Sequence, residues 1–329
     1  MPLPLSILDL APIAPGESAG ESIAASVALA QTAERHGYER VWYAEHHNMA
    51  SIASSVPAVL IAHVGAHTNT IRLGSGGVML PNHSPLAIAE QFGSLDAMYP
   101  GRIDLGLGRA PGSDEQTTYA LRRDPAASAS FPEDVAELRA YLAGQSRVPG
   151  VSAVPGAGSR IPLYILGSST FGAHLAAAMG LPYAFASHFA PQSLGAAVAA
   201  YRAEFRPSEQ LERPHVIAAV NVVAADSGQE ARAAFEGVQR NFATSLFGRG
   251  RTFTDEEVDL LMESAAGMHV RQMLSYAAVG TPSEVRGYLE DFARQAGADE
   301  LIVAHQARTT PARLRSVELL ADAMVGVGV

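Results

Sequence analysis

Short apolar runs, each followed at once by conspicuous polar or glycine residues, recur along this chain and constrain its fold more than any other feature. The runs cover residues 5–10, 40–43, 71–73, 103–105, 162–166, 183–186, 216–223 and 301–304. Immediately beyond them stand Glu45-His46-His47, Gly76-Gly77, Gly108-Arg109, Gly167-Ser168-Ser169-Thr170, Ser187-His188 and His305. Helical stretches separate most of the runs. Eight strands alternating with helices predict an α/β fold, a (β/α)8 TIM barrel, whose active site lies at the C-terminal strand ends. The residues that look out of place are then aimed at a common mouth, which is the pattern of an enzyme.

Composition narrows the chemistry. A chain of 329 residues with 48% hydrophobic and 17% charged residues can bury one large core, and residues 1–329 read as a single barrel domain. The net charge of -10 argues against a nucleic-acid partner. The absence of cysteine excludes disulfides, thiolate metal sites and cysteine nucleophiles. No apolar stretch reaches the roughly 18 residues of a membrane span, and no basic region precedes an apolar core at the N-terminus. A cytoplasmic location is the resulting expectation.

Punctuation residues set the element boundaries. Ser18 and Glu21 have capping-box spacing, with a helix running to about Gly37. Ser55-Val56-Pro57 and Ser84-Pro85 open two further helices, the second ending at Tyr99-Pro100-Gly101. Residues 56–64 are apolar nearly all round apart from His63, whereas a helix packed only on a barrel shows one polar face. A subunit interface is the favoured explanation and a covering loop the alternative. Residues 110–130 read as a long loop and 145–160 as a surface excursion. An insertion at residues 241–279, between the seventh and eighth barrel strands, reads as a lid or as a plain helical elaboration. Thr281-Pro282-Ser283-Glu284 then caps a helix before the last strand.

Four clusters carry chemistry. Adjacent side chains on an extended segment diverge, so His46 and His47 have different jobs, one suited to proton transfer, with two structural histidines as the alternative. A metal site would need further converging ligands and is not expected. Gly167, Ser168, Ser169 and Thr170 directly precede a helix, where backbone N–H groups and hydroxyls make an anion site, or an ordinary cap. Arg109 could supply the positive charge there, with a surface ion pair as the dull alternative. Gly106 to Gly112 makes a poor dinucleotide fingerprint, since the third glycine falls late and Pro111 interrupts. Gly76 and Gly77 fit either close approach of a flat ring to bare backbone or a simple bulge.

These motifs resemble the bacterial luciferase-like flavin monooxygenases. The resemblance is carried by Trp42-Tyr43-Ala44-Glu45-His46-His47-Asn48, Gly76-Gly77-Val78-Met79-Leu80-Pro81 and residues 100–109. Leu166-Gly167-Ser168-Ser169-Thr170, Phe185-Ala186-Ser187-His188-Phe189 and Asp299-Glu300-Leu301-Ile302-Val303 continue it in order, over essentially the whole chain. The resemblance implies a barrel that binds reduced FMN supplied by a separate NAD(P)H-dependent flavin reductase. Oxygen adds to the flavin, and the adduct hydroxylates or epoxidises an apolar organic substrate. It implies that Arg109, Ser168, Ser169 and Thr170 hold the phosphate, with Gly167 beside them. Gly76 and Gly77 correspond to a cis peptide against the flavin ring, Ser187 and His188 flank that ring, and His46 is the catalytic histidine. Gly167 stands where the luciferase branch has a carboxylate, which favours the broader monooxygenase branch of natural-product pathways and an aromatic polyketide substrate. The same resemblance implies a homodimer. It also leaves two other readings open: a deazaflavin (F420)-dependent hydride-transfer enzyme and a non-catalytic flavin-binding subunit.

Overall fold

A computed structural model describes residues 3–325 apart from 15, 111–113, 249–250 and 252. The strands are β1 Leu5–Asp9, β2 Arg40–Tyr43, β3 Arg72–Met79, β4 Ile103–Gly108, β5 Leu163–Gly167, β6 Tyr183–Phe185, β7 Val216–Ala224, β8 Ala277–Gly280 and β9 Glu300–His305. All pairings are parallel, and the order β1-β2-β3-β4-β5-β6-β7-β9 closes on itself through β9–β1 and β6–β7. This is the expected (β/α)8 barrel. The eight apolar runs are its eight ring strands.

Twelve α-helices lie among the described residues. They are α1 Ala19–Arg35, α2 Pro57–Gly65, α3 Pro85–Met98, α4 Glu115–Ala120, α5 Phe131–Leu142 and α6 Thr170–Met179. The others are α7 Leu194–Glu204, α8 Gly228–Phe247, α9 Asp255–Glu263, α10 Ala265–Met273, α11 Pro282–Ala296 and α12 Thr310–Val325. The predicted boundary signals operate. Ser18 and Glu21 form a capping box, Ser84 accepts from Ala87 N, and Thr281 with Glu284 forms another box.

Alternation along the strands sorts two cores. Leu5, Ile7, Leu301 and Val303 point out under the helices, whereas Leu8, Trp42, Ala44, Tyr164, Ala184, Ile217, Ala219 and Ile302 fill the lumen. Trp42 dominates that lumen, with Tyr164 edge-on at 4.8 Å between centroids. It fits because the neighbouring strand β3 is bare beside it. A Cβ on Gly74 would stand 2.8 Å from Trp42 Cδ1, and one on Gly76 would stand 3.0 Å from Trp42 Cβ and 2.7 Å from Leu8 Cδ1.

A buried ionic layer closes the lumen toward the N-terminal strand ends. Arg40 donates to Asp104 Oδ2 at 2.9 Å, to Tyr164 Oη at 2.7 Å and to Glu300 Oε1 at 3.0 Å. Arg72 pairs with the other Asp104 oxygen, Trp42 Nε1 donates to Asp104 at 3.1 Å, and His215 Nε2 bonds Glu300 at 3.2 Å. Burial opposes the Arg40 charge, but Glu300 and Asp104 outweigh it, and the guanidinium holds its proton more tightly than usual. Two cations meet two carboxylates there, so charges that burial alone would forbid are paired and hydrogen-bonded.

Several local expectations need correction. The segment at residues 110–130 contains α4 and a 3-10 turn at Pro125–Ala129 rather than loop alone. The excursion at residues 145–160 returns to the body, burying Ala153, and a Cβ on Gly93 of α3 would stand 2.2 Å from Gly156 Cα. The insertion begins inside α8 and ends in a strand. β8 pairs with β7 outside the ring, Asn221 to Ala224 against Ala277 to Gly280. A four-residue strand of small side chains lacks the apolar signature that marked the others.

His305 also departs from expectation. It ends β9 on the outward phase, so its Nδ1 meets Ser316 Oγ of α12 at 2.8 Å instead of facing the mouth. Burial, with Arg313 nearby, pushes its pKa down to about 3.

Candidate active site

The C-terminal ends of β2, β3, β4, β5, β6 and β7 build the site. Glu45, just past β2, is almost fully buried and holds the rim together. Its carboxylate accepts from Met79 N at 3.0 Å, Asn82 Nδ2 at 3.2 Å, His47 Nε2 at 2.9 Å and His83 Nε2 at 2.9 Å. Burial alone would raise its pKa, but the bond and charge of His83, with His47 and Met79 N, hold it below the ordinary value. Glu45 is therefore ionised, a clamp between the loops after β2 and β3.

The two histidines divide as the extended backbone demands. His47 is engaged on Glu45. His46 donates its backbone N–H to Ser54 O at 3.0 Å, while its ring Nδ1 is enclosed with no partner among the described residues, which leaves Nε2 as the nitrogen a ligand can reach. Burial lowers the His46 pKa despite the opposing pull of Glu45, so the ring is neutral near pH 7.

His188 leaves β6, on the opposite side of the ring from β2. Its Nδ1 is likewise enclosed and without a partner among the described residues, and its ring packs edge-on to Phe189 at 4.9 Å. Burial first, and then the nearby His46, push its pKa down to about 4. The fold thus brings the two imidazoles into each other's field across the mouth. The Ser187 hydroxyl donates to Ala219 O inside the wall.

Gly76 and Gly77 interrupt β3 near its C-terminal end, with a register shift against β4 between Ser75 and Val78, and the Gly76–Gly77 peptide is cis. The register shift makes the segment a bulge, and a Cβ on Gly77 would stand 2.8 Å from Gly106 O.

Gly108 of β4 pairs in register with Leu166 of β5, so Arg109 and Gly167 emerge side by side. Ser168, Ser169 and Thr170 are exposed at the start of α6. Ser169 is the N-cap residue yet makes no side-chain cap bond, and the first turn carries no acid. The hydroxyls and N–H groups at this helix end are free for an anion. Arg109 stacks its guanidinium 4.0 Å above the Phe171 ring, and among the described residues no carboxylate pairs with it. The ion-pair alternative for Arg109 is therefore absent there.

Some parts of the site escaped the sequence reading. His83 and Asn82 had no motif of their own and join Glu45 only in three dimensions. Asn221 left a visible signal, as the single polar residue in the run at 216–223. Its amide donates to His188 O at 2.6 Å and accepts from Gln306 Nε2 at 3.0 Å.

The family described as Luciferase-like monooxygenase matches residues 3–300. The luciferase-like monooxygenase of Escherichia coli K12 is 48% identical over 320 residues, 96% of each chain. The N-acetyl-S-alkylcysteine monooxygenase of Bacillus subtilis is 42% identical over 187 residues, 55% of this chain and 56% of its own. Among solved structures, apo-MsnO8 superposes with a TM-score of 0.88 at 36% identity over 98% of both chains. Fold and relatives agree: the chain belongs to the luciferase-like monooxygenase family and is a flavin-dependent monooxygenase.

Proposed function

We propose that the protein is the oxygenase of a two-component system, using reduced FMN from a separate NAD(P)H-dependent reductase, and O2, to hydroxylate or epoxidise an apolar organic substrate. The observation that carries the FMN assignment is the unpaired Arg109 beside the uncapped, hydroxyl-bearing start of α6. These residues fit a phosphate monoester: one cation, three hydroxyls, and the positive end of a helix free of acids.

When bound, reduced FMN supplies the electrons that activate O2. The chain's own residues do the rest. Arg109, Ser168, Ser169 and Thr170 bind the phosphate, with Gly167 giving the backbone room. Gly76 and Gly77 present bare main chain toward the ring, with His188 beside it. His46, neutral at pH 7, holds or accepts a proton at Nε2. Ser187 supports this wall through its Ala219 bond rather than contacting the ring through its hydroxyl.

His46→Ala in a reductase-coupled assay tests the assignment. Product formation falls by the 10²–10⁴-fold typical of a lost proton-transfer group, while flavin affinity stays near wild type. Normal turnover removes His46 from the chemistry. Titration with reduced FMN and with reduced F420 separates the monooxygenase from the hydride-transfer reading, and flavin binding without product favours a non-catalytic subunit. Natural-product precursors such as aromatic polyketides head the substrate panel. The relative named for N-acetyl-S-alkylcysteine adds thioethers to it.

A homodimer through α2 completes the proposal. Val59 on α2 is 68% exposed, Val56 just before it 50%, and Met98 at the end of α3 52%. Leu60, by contrast, is buried in the protein's own core, so Val59→Glu is the informative variant. Light scattering should show monomer for that variant and dimer for wild type, and a wild-type monomer refutes the assembly.

A further inference from the structure

We infer that Phe171 is a positioning residue for the phosphate grip: its ring is the platform that holds the Arg109 guanidinium ready for the phosphate. The inference rests on the FMN-phosphate reading above and adds a residue to it. Arg109 leaves β4 and Phe171 lies in the first turn of α6, so the stack bridges two rim loops, with the Arg109 carbon 4.0 Å from the ring centroid. Phe171 is 37% exposed. An apolar ring held at a polar rim needs a reason, and the guanidinium provides one.

Stacking differs from ion pairing in what it leaves free. A carboxylate partner would occupy the in-plane N–H fork that grips phosphate. A ring occupies only the face, so the five donors of Arg109 remain available while the side chain is confined. No carboxylate competes, since none pairs with Arg109 among the described residues and α6 has no acid in its first turn. The fork is therefore orientated before the ligand arrives, and ordering it on binding is avoided.

The test compares FMN with riboflavin, which lacks the phosphate, by fluorescence titration of wild type, Phe171→Leu, Phe171→Tyr and Arg109→Gln. Phe171→Leu should weaken FMN about fivefold, the scale of an exposed cation–π contact, and leave riboflavin unchanged. Phe171→Tyr keeps a ring face and should restore FMN binding. In the Arg109→Gln background, Phe171→Leu should have no further effect on FMN. Unchanged riboflavin affinity also shows that the variant pocket is folded. Equal loss for both ligands, or a Phe171→Leu protein that binds FMN like wild type, overturns the platform alone. A wild type that does not prefer FMN to riboflavin overturns the phosphate site and the platform with it.

Discussion

The Asn221 side-chain amide donates to the carbonyl oxygen of His188 across 2.6 Å, tying the end of β7 to the loop after β6. The same amide nitrogen lies 3.4 Å from Tyr276 O, and its oxygen accepts from Gln306. Asn221 is fully buried, so Asn221→Ala leaves these partners unsatisfied and should lower stability by about 1–3 kcal/mol. Because His188 loses its anchor, turnover should fall more than FMN affinity. Denaturant unfolding and coupled turnover measure the two effects, and an unchanged midpoint refutes the role.

Arg40 predicts the largest single loss. Arg40→Met removes the cation shared by Asp104 and Glu300, leaving Asp104 to Arg72 and Trp42 and Glu300 to His215, and breaking buried pairs of this kind costs about 3–5 kcal/mol. The surface pair Arg294–Asp291 is the control, where Arg294→Ala should change stability by less than about 1 kcal/mol. Equal effects in urea unfolding would contradict the layer's importance.

Acid should weaken the fold through two histidines. His188 and His305 have pKa values pushed down to about 4 and about 3, against an ordinary 6.5. Below pH 6.5 the unfolded chain takes up protons that the folded rings refuse. Stability therefore falls as pH drops through this window, at about 1.4 kcal/mol per pH unit per ring, and gains nothing from these rings above it. His305→Asn should show a shallower decline than wild type between pH 4 and 6.5. Identical slopes would mean that His305 is protonated as readily folded as unfolded.

Two glycines predict opposite signs. A Cβ on Gly93 meets Gly156 backbone at 2.2 Å, and neither chain can yield cheaply, so Gly93→Ala should destabilise by about 1–3 kcal/mol. Gly287, exposed within α11, has open space around it, and Gly287→Ala should stabilise by about 1 kcal/mol. Thermal unfolding of both variants checks the pair.

Much of this was written in local chemistry. The ring strands announced themselves as apolar runs, and Ser18, Ser84 and Thr281 marked helix starts, because caps and periodicity depend on neighbours in sequence. Arg109 and the serine loop were visible because adjacent strand ends share a level. What stayed hidden depends on facing and assembly. His305 was misjudged because one position along a strand reverses the side it serves. His83 reaches Glu45 from another loop, 38 residues on. β8 was missed because Ala277 to Gly280 is short and poor in large apolar residues, so only its ladder to β7 reveals it.

That ladder sets how the insertion can behave. Four residues of β8 are stitched to β7, and Asn221 N donates to Tyr276 O at 3.1 Å just before the seam. The insertion is therefore anchored along one edge, where its C-terminal strand runs beside β7. Tyr276 of the insertion and His188 of the rim hold on to one and the same asparagine, so the residue that seats the imidazole also fastens the seam.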